Sequence, residues 1–221
     1  MIKEKLGPRI DGWIHSLFPF LFRRRINPDW LTVTGTLVAG ASGLAFAEGA
    51  FRLAGFLLIA GGFFDLVDGV VARHFGISTR FGAFLDSSLD RVVDILVMVG
   101  LLAHYLGRGE SGLAMLCVVI LVSTVLTSYA KARAETILTH MPGGLLERGE
   151  RIGLLAGAAL LGLMPPVLWL LAIGTVVTVG QRFLYAHREM GRLDEESGSG
   201  SVDESGGTVE TVGKVEERGA S

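Results

Sequence analysis

Long apolar windows follow one another along most of this chain, at residues 31–50, 51–72, 82–106, 112–130, 152–164 and 166–186. A helix that crosses a bilayer needs about 20 mostly apolar residues. The windows therefore predict an all-α, polytopic membrane protein with six transmembrane helices, the short fifth one sharing the Pro165–Pro166 turn or beginning earlier. Composition agrees: 50% of residues are hydrophobic and 19% charged, with a mean hydropathy of +0.50, too apolar for an ordinary soluble domain. Membrane lipids are the expected surroundings, and no nucleic-acid partner is expected.

Charge then sets the organisation. The apolar stretch at 13–22 is about ten residues long, is interrupted by Pro19 and ends in Arg23, Arg24 and Arg25, which does not fit a secretory signal. It reads as an amphipathic helix on the membrane surface, with the arginines at anionic headgroups. Lys and Arg accumulate before the first window and after the second, fourth and sixth, whereas the opposite side offers Arg52 and Arg108. Both termini are accordingly predicted to be cytoplasmic, at the plasma membrane. Residues 194–221 hold eight acids against Lys214 and Arg218, a charge of −6 that leaves the rest of the chain at +4. Such Ser/Gly/Glu-rich sequence cannot bury enough apolar surface to fold. The expected divisions are an interfacial helix and lead-in at 1–29, a membrane domain at 30–190 and a disordered acidic tail at 191–221. Cys117 is the single cysteine, so neither an intramolecular disulfide nor a cysteine-based metal site is available.

Acidic residues stand where apolar ones belong. Asp65 and Asp68 lie in the second window, and Asp86, Asp90 and Asp94 in the third, although a charge deep in a bilayer costs at least about 2.5–3.5 kcal/mol. The i,i+3 and i,i+4 spacings put Asp65 with Asp68, and Asp86 with Asp90, on single helix faces. A short connection from His74 to Arg80 makes the two helices antiparallel neighbours whose acidic faces can meet. Four carboxylates in one small volume repel strongly, and divalent cations remove that conflict. Oxygen donors without His or Cys favour Mg²⁺ or Mn²⁺, which take further ligands from phosphates. The plainer alternative is salt bridging to Arg73, Arg80 or Arg91, with Asp94 in an ion pair or behind the others.

The pattern Asp65-x2-Asp68-Gly69-x2-Ala72-Arg73-x8-Gly82-x3-Asp86-x3-Asp90 resembles the signature of the CDP-alcohol phosphotransferases at every fixed position and spacer. The segment Asn27-Pro28-Asp29-Trp30-Leu31-Thr32 is similar to that family's approach to its first span. The resemblance implies a homodimer of six-helix protomers, each with two Mg²⁺ or Mn²⁺ ions facing the cytoplasm. It further implies that Asp65, Asp68 and Asp86 ligate the metals, while Asp90 approaches them and acts as catalytic general base. Gly69, Arg73 and Thr79 would contact the CDP group of a CDP-diacylglycerol-type lipid, with Asp29 and Trp30 near its nucleotide end. Gly82, like Gly69, removes a side chain where backbone and nucleotide approach closely.

The segments around Lys131, Arg148, Arg151 and Arg182 resemble the subgroup that makes phosphatidylinositol phosphate or its archaeal ether-lipid counterpart. That likeness implies a phosphorylated polyol acceptor, inositol 1-phosphate, with Lys131, Arg151 and Arg182 on its phosphate and Arg148 grouped with them. Cations around a dianion are electrostatically sensible. Glycerol 3-phosphate would need similar cations, so phosphatidylglycerol phosphate synthesis is the rival within the family. An ion-coupled transporter is the rival from another class, but the acids crowd one helical hairpin and no inverted repeat is visible.

Overall fold

The computed structural model describes residues 28–77 and 79–203, with the side chains of residue 73 and of residues 197–203 outside that description. Among these residues there are six helices and no strand. They are α1 (Pro28–Ala47), α2 (Phe51–Phe75), α3 (Arg80–Gly107), α4 (Ser111–Ala134), α5 (Arg148–Leu161) and α6 (Met164–Asp203). The expected all-α class is what is seen. The interfacial helix expected before residue 28 and the acidic segment after residue 203 lie outside the described residues.

Local chemistry sets several of the boundaries. α1 opens on Pro28 and Asp29; a proline fits the first helical position and a carboxylate favours the positive end of the helix dipole. Thr79 caps α3, its hydroxyl accepting the Gly82 N–H at 2.9 Å, which satisfies one of the free donors of the first turn. α5 stops at Gly162, whose φ of 72° is left-handed and whose N–H turns back to the Ala158 carbonyl, a termination that glycine reaches without steric penalty.

Four helical stretches are long and apolar enough to cross a membrane: Pro28–Ala47, Phe51–Ala72, Ser111–Ala134 and Met164–Glu196. The other two helices miss for different reasons. α3 has 28 residues, but Arg80, Asp86, Asp90, Arg91 and Asp94 charge its first half. α5 has 14 residues and is about 21 Å long at 1.5 Å per residue, against a hydrocarbon core of about 30 Å.

The packing order differs from the expected hairpin. α1 lies along both α2 and α3, α4 lies along α3 and α6, and α5 lies along α2 and α6, whereas α2 and α3 are not extensively packed on each other. Small residues of α1 explain its central place. A Cβ on Gly61 of α2 would sit 3.0 Å from the Ala39 Cα, and a Cβ on Gly100 of α3 would overlap the Gly43 backbone. In lipid, where apolar association brings little gain, such close backbone approach is what holds helices together. Phe46, Leu58, Val97, Leu101, Ile120, Leu168 and Leu171 fill the interior. Leu37, Leu44, Phe56, Val122, Trp169 and Ile173 face outward, as they do when the surroundings are hydrocarbon rather than water.

α6 also departs from expectation. It is 40 residues long and stays helical to Asp203, which carries regular structure into the segment expected to be disordered from 191. Residues 188–196 are rich in Arg, Glu, Met and Leu, which favour helix, and Arg192 pairs with Glu189 one turn back at 3.4 Å.

Candidate active site

The carboxylates of α2 and α3 converge at the ends joined by the short 76–79 connection. Asp65, Asp68 and Asp86 each offer an oxygen lying within 4.8 Å of the other two. Thr32 of α1 reaches between the helices and donates its hydroxyl to Asp68 Oδ2 at 2.6 Å. Asp68 is buried, while Asp65 and Asp86 are half-buried. Three oxygen donors of this kind, with no His or Cys among them, fit a hard divalent cation such as Mg²⁺ or Mn²⁺.

Asp90 stands one turn beyond Asp86 and faces a different partner. Its Oδ1 lies 2.9 Å from a guanidinium nitrogen of Arg148, and its Oδ2 lies 3.8 Å from Arg91. Arg148 also approaches Asp65 Oδ2 at 3.6 Å and Asp94 Oδ1 at 3.9 Å. Asp94 is 7% exposed and Arg151 6% exposed; they form a buried pair at 3.0 Å. Arg151 donates a second hydrogen bond to the Leu146 carbonyl at 3.3 Å. Thus Asp65, Asp68 and Asp86 form one group, and Asp90 joins it through Arg148.

A cavity of about 230 Å³ opens beside the cluster and is lined by Pro28, Asp29, Thr32, Asp68, Gly69, Ala72, Ile77, Thr79, Gly82, Ala83 and Asp86. Five of the residues expected to bear on a CDP group or a metal, Asp29, Asp68, Gly69, Thr79 and Gly82, therefore share one wall with Asp86. Any Cβ on Gly82 would stand 3.1 Å from Thr79 Oγ1 and 3.2 Å from Asp29 Oδ1, so a side chain there would intrude on this space. Trp30, by contrast, is 71% exposed and does not line the cavity. The side chain of Arg73 is outside the described residues.

The four cations expected around an acceptor are not gathered by direct contacts. Lys131, near the end of α4, pairs with Glu135 at 3.7 Å. Arg182 is buried on α6 and donates to the Thr127 carbonyl at 2.7 Å, with its Nε making no hydrogen bond. Arg151, buried on Asp94, and Arg148, half-buried among three aspartates, are the centre of an ion network rather than free surface cations. The strand of chain before α5 is docked on α6: the Leu145 N–H donates to Gln181 Oε1 at 2.9 Å and the Leu146 N–H to Thr178 Oγ1 at 3.1 Å.

Two participants were missed from the sequence. Thr32 was visible as a hydroxyl in the first turn of a span, next to Asp29, but its bond to Asp68 joins residues 36 apart. Arg148 was assigned to the acceptor, and nothing in the spacing announced its reach to Asp65 and Asp90.

Comparison with known proteins agrees with this geometry. Residues 25–186 match the family described as CDP-alcohol phosphatidyltransferase. The chain is 36% identical over 205 residues to a phosphatidylinositol phosphate synthase of Streptomyces avermitilis, covering 86% of this chain and 84% of that one. It is 35% identical over 198 residues to an archaetidylinositol phosphate synthase of Methanothermobacter thermautotrophicus, covering 83% and 99%. Among solved structures, the phosphatidylinositol phosphate synthase of Mycobacterium tuberculosis with CDP-DAG bound superimposes with a TM-score of 0.70 at 32% identity, covering 77% of this chain and 92% of that one. The same enzyme in complex with manganese and citrate gives the same score and identity, with 87% of that chain covered. With a signature match, a three-carboxylate cluster and a superimposable fold in agreement, the chain belongs to the CDP-alcohol phosphatidyltransferase family and is a membrane-embedded transferase of phospholipid biosynthesis.

Proposed function

We propose that this enzyme transfers a phosphatidyl or archaetidyl group from a CDP-linked lipid to inositol 1-phosphate, releasing CMP. One observation carries the reading: of three carboxylates within 4.8 Å of one another, Asp68 and Asp86 form an edge of a cavity whose remaining wall holds Asp29, Gly69, Thr79 and Gly82. That space suits a nucleotide diphosphate lying between a cation site and the N-terminus of α3, where a helix favours negative charge. The relatives named for inositol phosphate products supply the choice of acceptor.

In this reading Asp65, Asp68 and Asp86, with Asp90 alongside, hold two Mg²⁺ or Mn²⁺ ions per protomer. Bound there, such ions neutralise the diphosphate as the bond to the CMP leaving group breaks. Thr32 fixes the orientation of the Asp68 carboxylate. Gly69 and Gly82 let the nucleotide approach the backbone, and Asp29, Trp30, Arg73 and Thr79 bind the CDP portion. Arg73 can fork two hydrogen bonds to phosphate oxygens. Asp90 accepts the proton of the acceptor hydroxyl as that oxygen attacks the lipid-side phosphorus. Lys131, Arg151 and Arg182 meet the acceptor's phosphate, and Arg148 stands between that phosphate and the carboxylates.

The same reading completes the architecture. α3 and α5 join the four apolar helices as a fifth and sixth span, their polar halves turned to the protein interior, with an interfacial helix ahead of α1. Two protomers associate in the plasma membrane, with both termini and the active site on the cytoplasmic side.

The test is CMP release by the purified protein in detergent, given CDP-diacylglycerol and Mg²⁺ or Mn²⁺, with inositol 1-phosphate, glycerol 3-phosphate, inositol and serine in parallel. Release with inositol 1-phosphate alone is expected. Release with glycerol 3-phosphate instead would transfer the assignment to phosphatidylglycerol phosphate synthesis.

A further inference from the structure

Arg148 and Arg151 sit one turn apart at the start of α5 and share Asp94, yet they are held very differently. Arg151 is fixed: it is 6% exposed, 3.0 Å from Asp94 Oδ2, and bonded also to the Leu146 carbonyl at 3.3 Å. Arg148 is divided among three acids, with one short contact, 2.9 Å to Asp90, and longer ones of 3.6 Å to Asp65 and 3.9 Å to Asp94. Its Nε is buried and makes no hydrogen bond. A guanidinium presents five donors in a planar fork and is strongest when two of them grip one carboxylate. Spread over three separate carboxylates, Arg148 satisfies none of them fully.

Two of the oxygens it touches belong to residues assigned to the divalent cations, Asp65 and Asp90. One carboxylate oxygen has limited capacity for positive charge, so a guanidinium and a metal ion at the same group weaken each other. Asp94, paired with Arg151 at 3.0 Å, approaches the Arg148 Nε while Asp65 and Asp90 approach its two terminal nitrogens, so it offers the guanidinium a different partner.

We propose that Arg148 is a counter-ion that competes with divalent cations for Asp65 and Asp90, with the Asp94–Arg151 pair as the anchor toward which it moves when the cations bind. The inference rests on the reading of the aspartates as a metal centre and adds to it a resident cation that tunes metal affinity. It is a positioning role, since Arg148 acts through the carboxylates and not on the reacting atoms. It also explains why a half-buried cation stands on an acidic cluster without a bidentate partner. The freed guanidinium would lie beside Arg151, so that cation loading and the assembly of positive charge for an anionic acceptor become one event.

The two side chains that hold Arg148 in balance give opposite predictions. In the full-length protein in detergent, Mn²⁺ binding is titrated by loss of the free-ion electron paramagnetic resonance signal. Arg148→Gln should bind Mn²⁺ about tenfold more tightly than the wild type, the effect of removing a unit charge next to the ligands. Asp94→Asn should bind it more weakly, because the guanidinium loses its alternative partner and settles on Asp65 and Asp90. Arg148→Lys, which keeps the charge but cannot bridge two carboxylates, should fall between wild type and Arg148→Gln, and it serves where either other variant fails to fold. A purely structural Arg148 would weaken binding in every variant, and that result, or no change in Arg148→Gln and Arg148→Lys, overturns the proposal while leaving the metal centre intact. Absence of Mn²⁺ binding by the wild type overturns both.

Discussion

Asp90 and Asp68 show how one residue type serves different ends according to its partner. Asp90 faces the Arg148 guanidinium at 2.9 Å, and in the proposed reading it is the group that takes the acceptor's proton. Asp90→Asn should lower CMP release by at least about 10²-fold, the typical contribution of a positioned general base, while CDP-lipid binding measured by calorimetry stays near wild type. Substantial residual turnover would remove Asp90 from the proton transfer. Asp68 is instead oriented by the 2.6 Å bond from Thr32. Losing an orienting partner behind a metal ligand commonly costs about 10–100-fold in metal affinity, so Thr32→Val should weaken Mn²⁺ binding by an amount in that range. The aspartates were legible in the sequence because their spacing fixes one helix face and their cost in lipid demands compensation. Thr32 and Arg148 were not, because no periodicity links residues 36 apart or 58 apart.

At the scale of elements, the sequence conveyed which segments are helical but not which helices touch. Consecutive helices joined by a short connection are neighbours by default, and on that basis α2 and α3 were expected to face each other. The glycines and alanines of α1 instead let it lie along both, so the carboxylates meet only where the helix ends come together. The same small residues were legible as packing signals, although their partners were not. Gly43 and Gly100 make the α1–α3 crossing a backbone contact. Gly100→Ala would force the two helices apart, a form of overpacking that costs typically 1–3 kcal/mol, about the range for extra methylenes in a tight core. A lower Tm in detergent is expected, accompanied by weaker Mn²⁺ binding because Asp86 moves with α3 away from Asp65 and Asp68. An unchanged Tm would mean that this crossing is looser than the backbone contact implies.

For the whole molecule, charge is concentrated at one end of an otherwise apolar bundle, and the ion network spans α2, α3 and α5. Cations bound at the carboxylates would tie α2 to α3, which have little direct packing. Stripping divalent ions with a chelator should therefore lower the Tm as well as stop turnover, and restoring Mg²⁺ or Mn²⁺ should reverse both. A ligand at one hundred times its Kd stabilises the folded state by about 2.7 kcal/mol, a shift readily seen in a melt; loss of turnover with no change in Tm would place the ions outside the helix-joining role. The long reach of α6 has a different outcome. From Arg182, which is seated on the Thr127 carbonyl, the helix continues through Asp194, Glu195 and Glu196, roughly 20 Å further along at 1.5 Å per residue. Ionic screening in physiological salt acts over about 8 Å. In the proposed orientation, with Arg182 near the membrane surface, the rod would act as a mast that carries these charges beyond the screening length, so that they would add little repulsion toward anionic lipids or a phosphorylated acceptor.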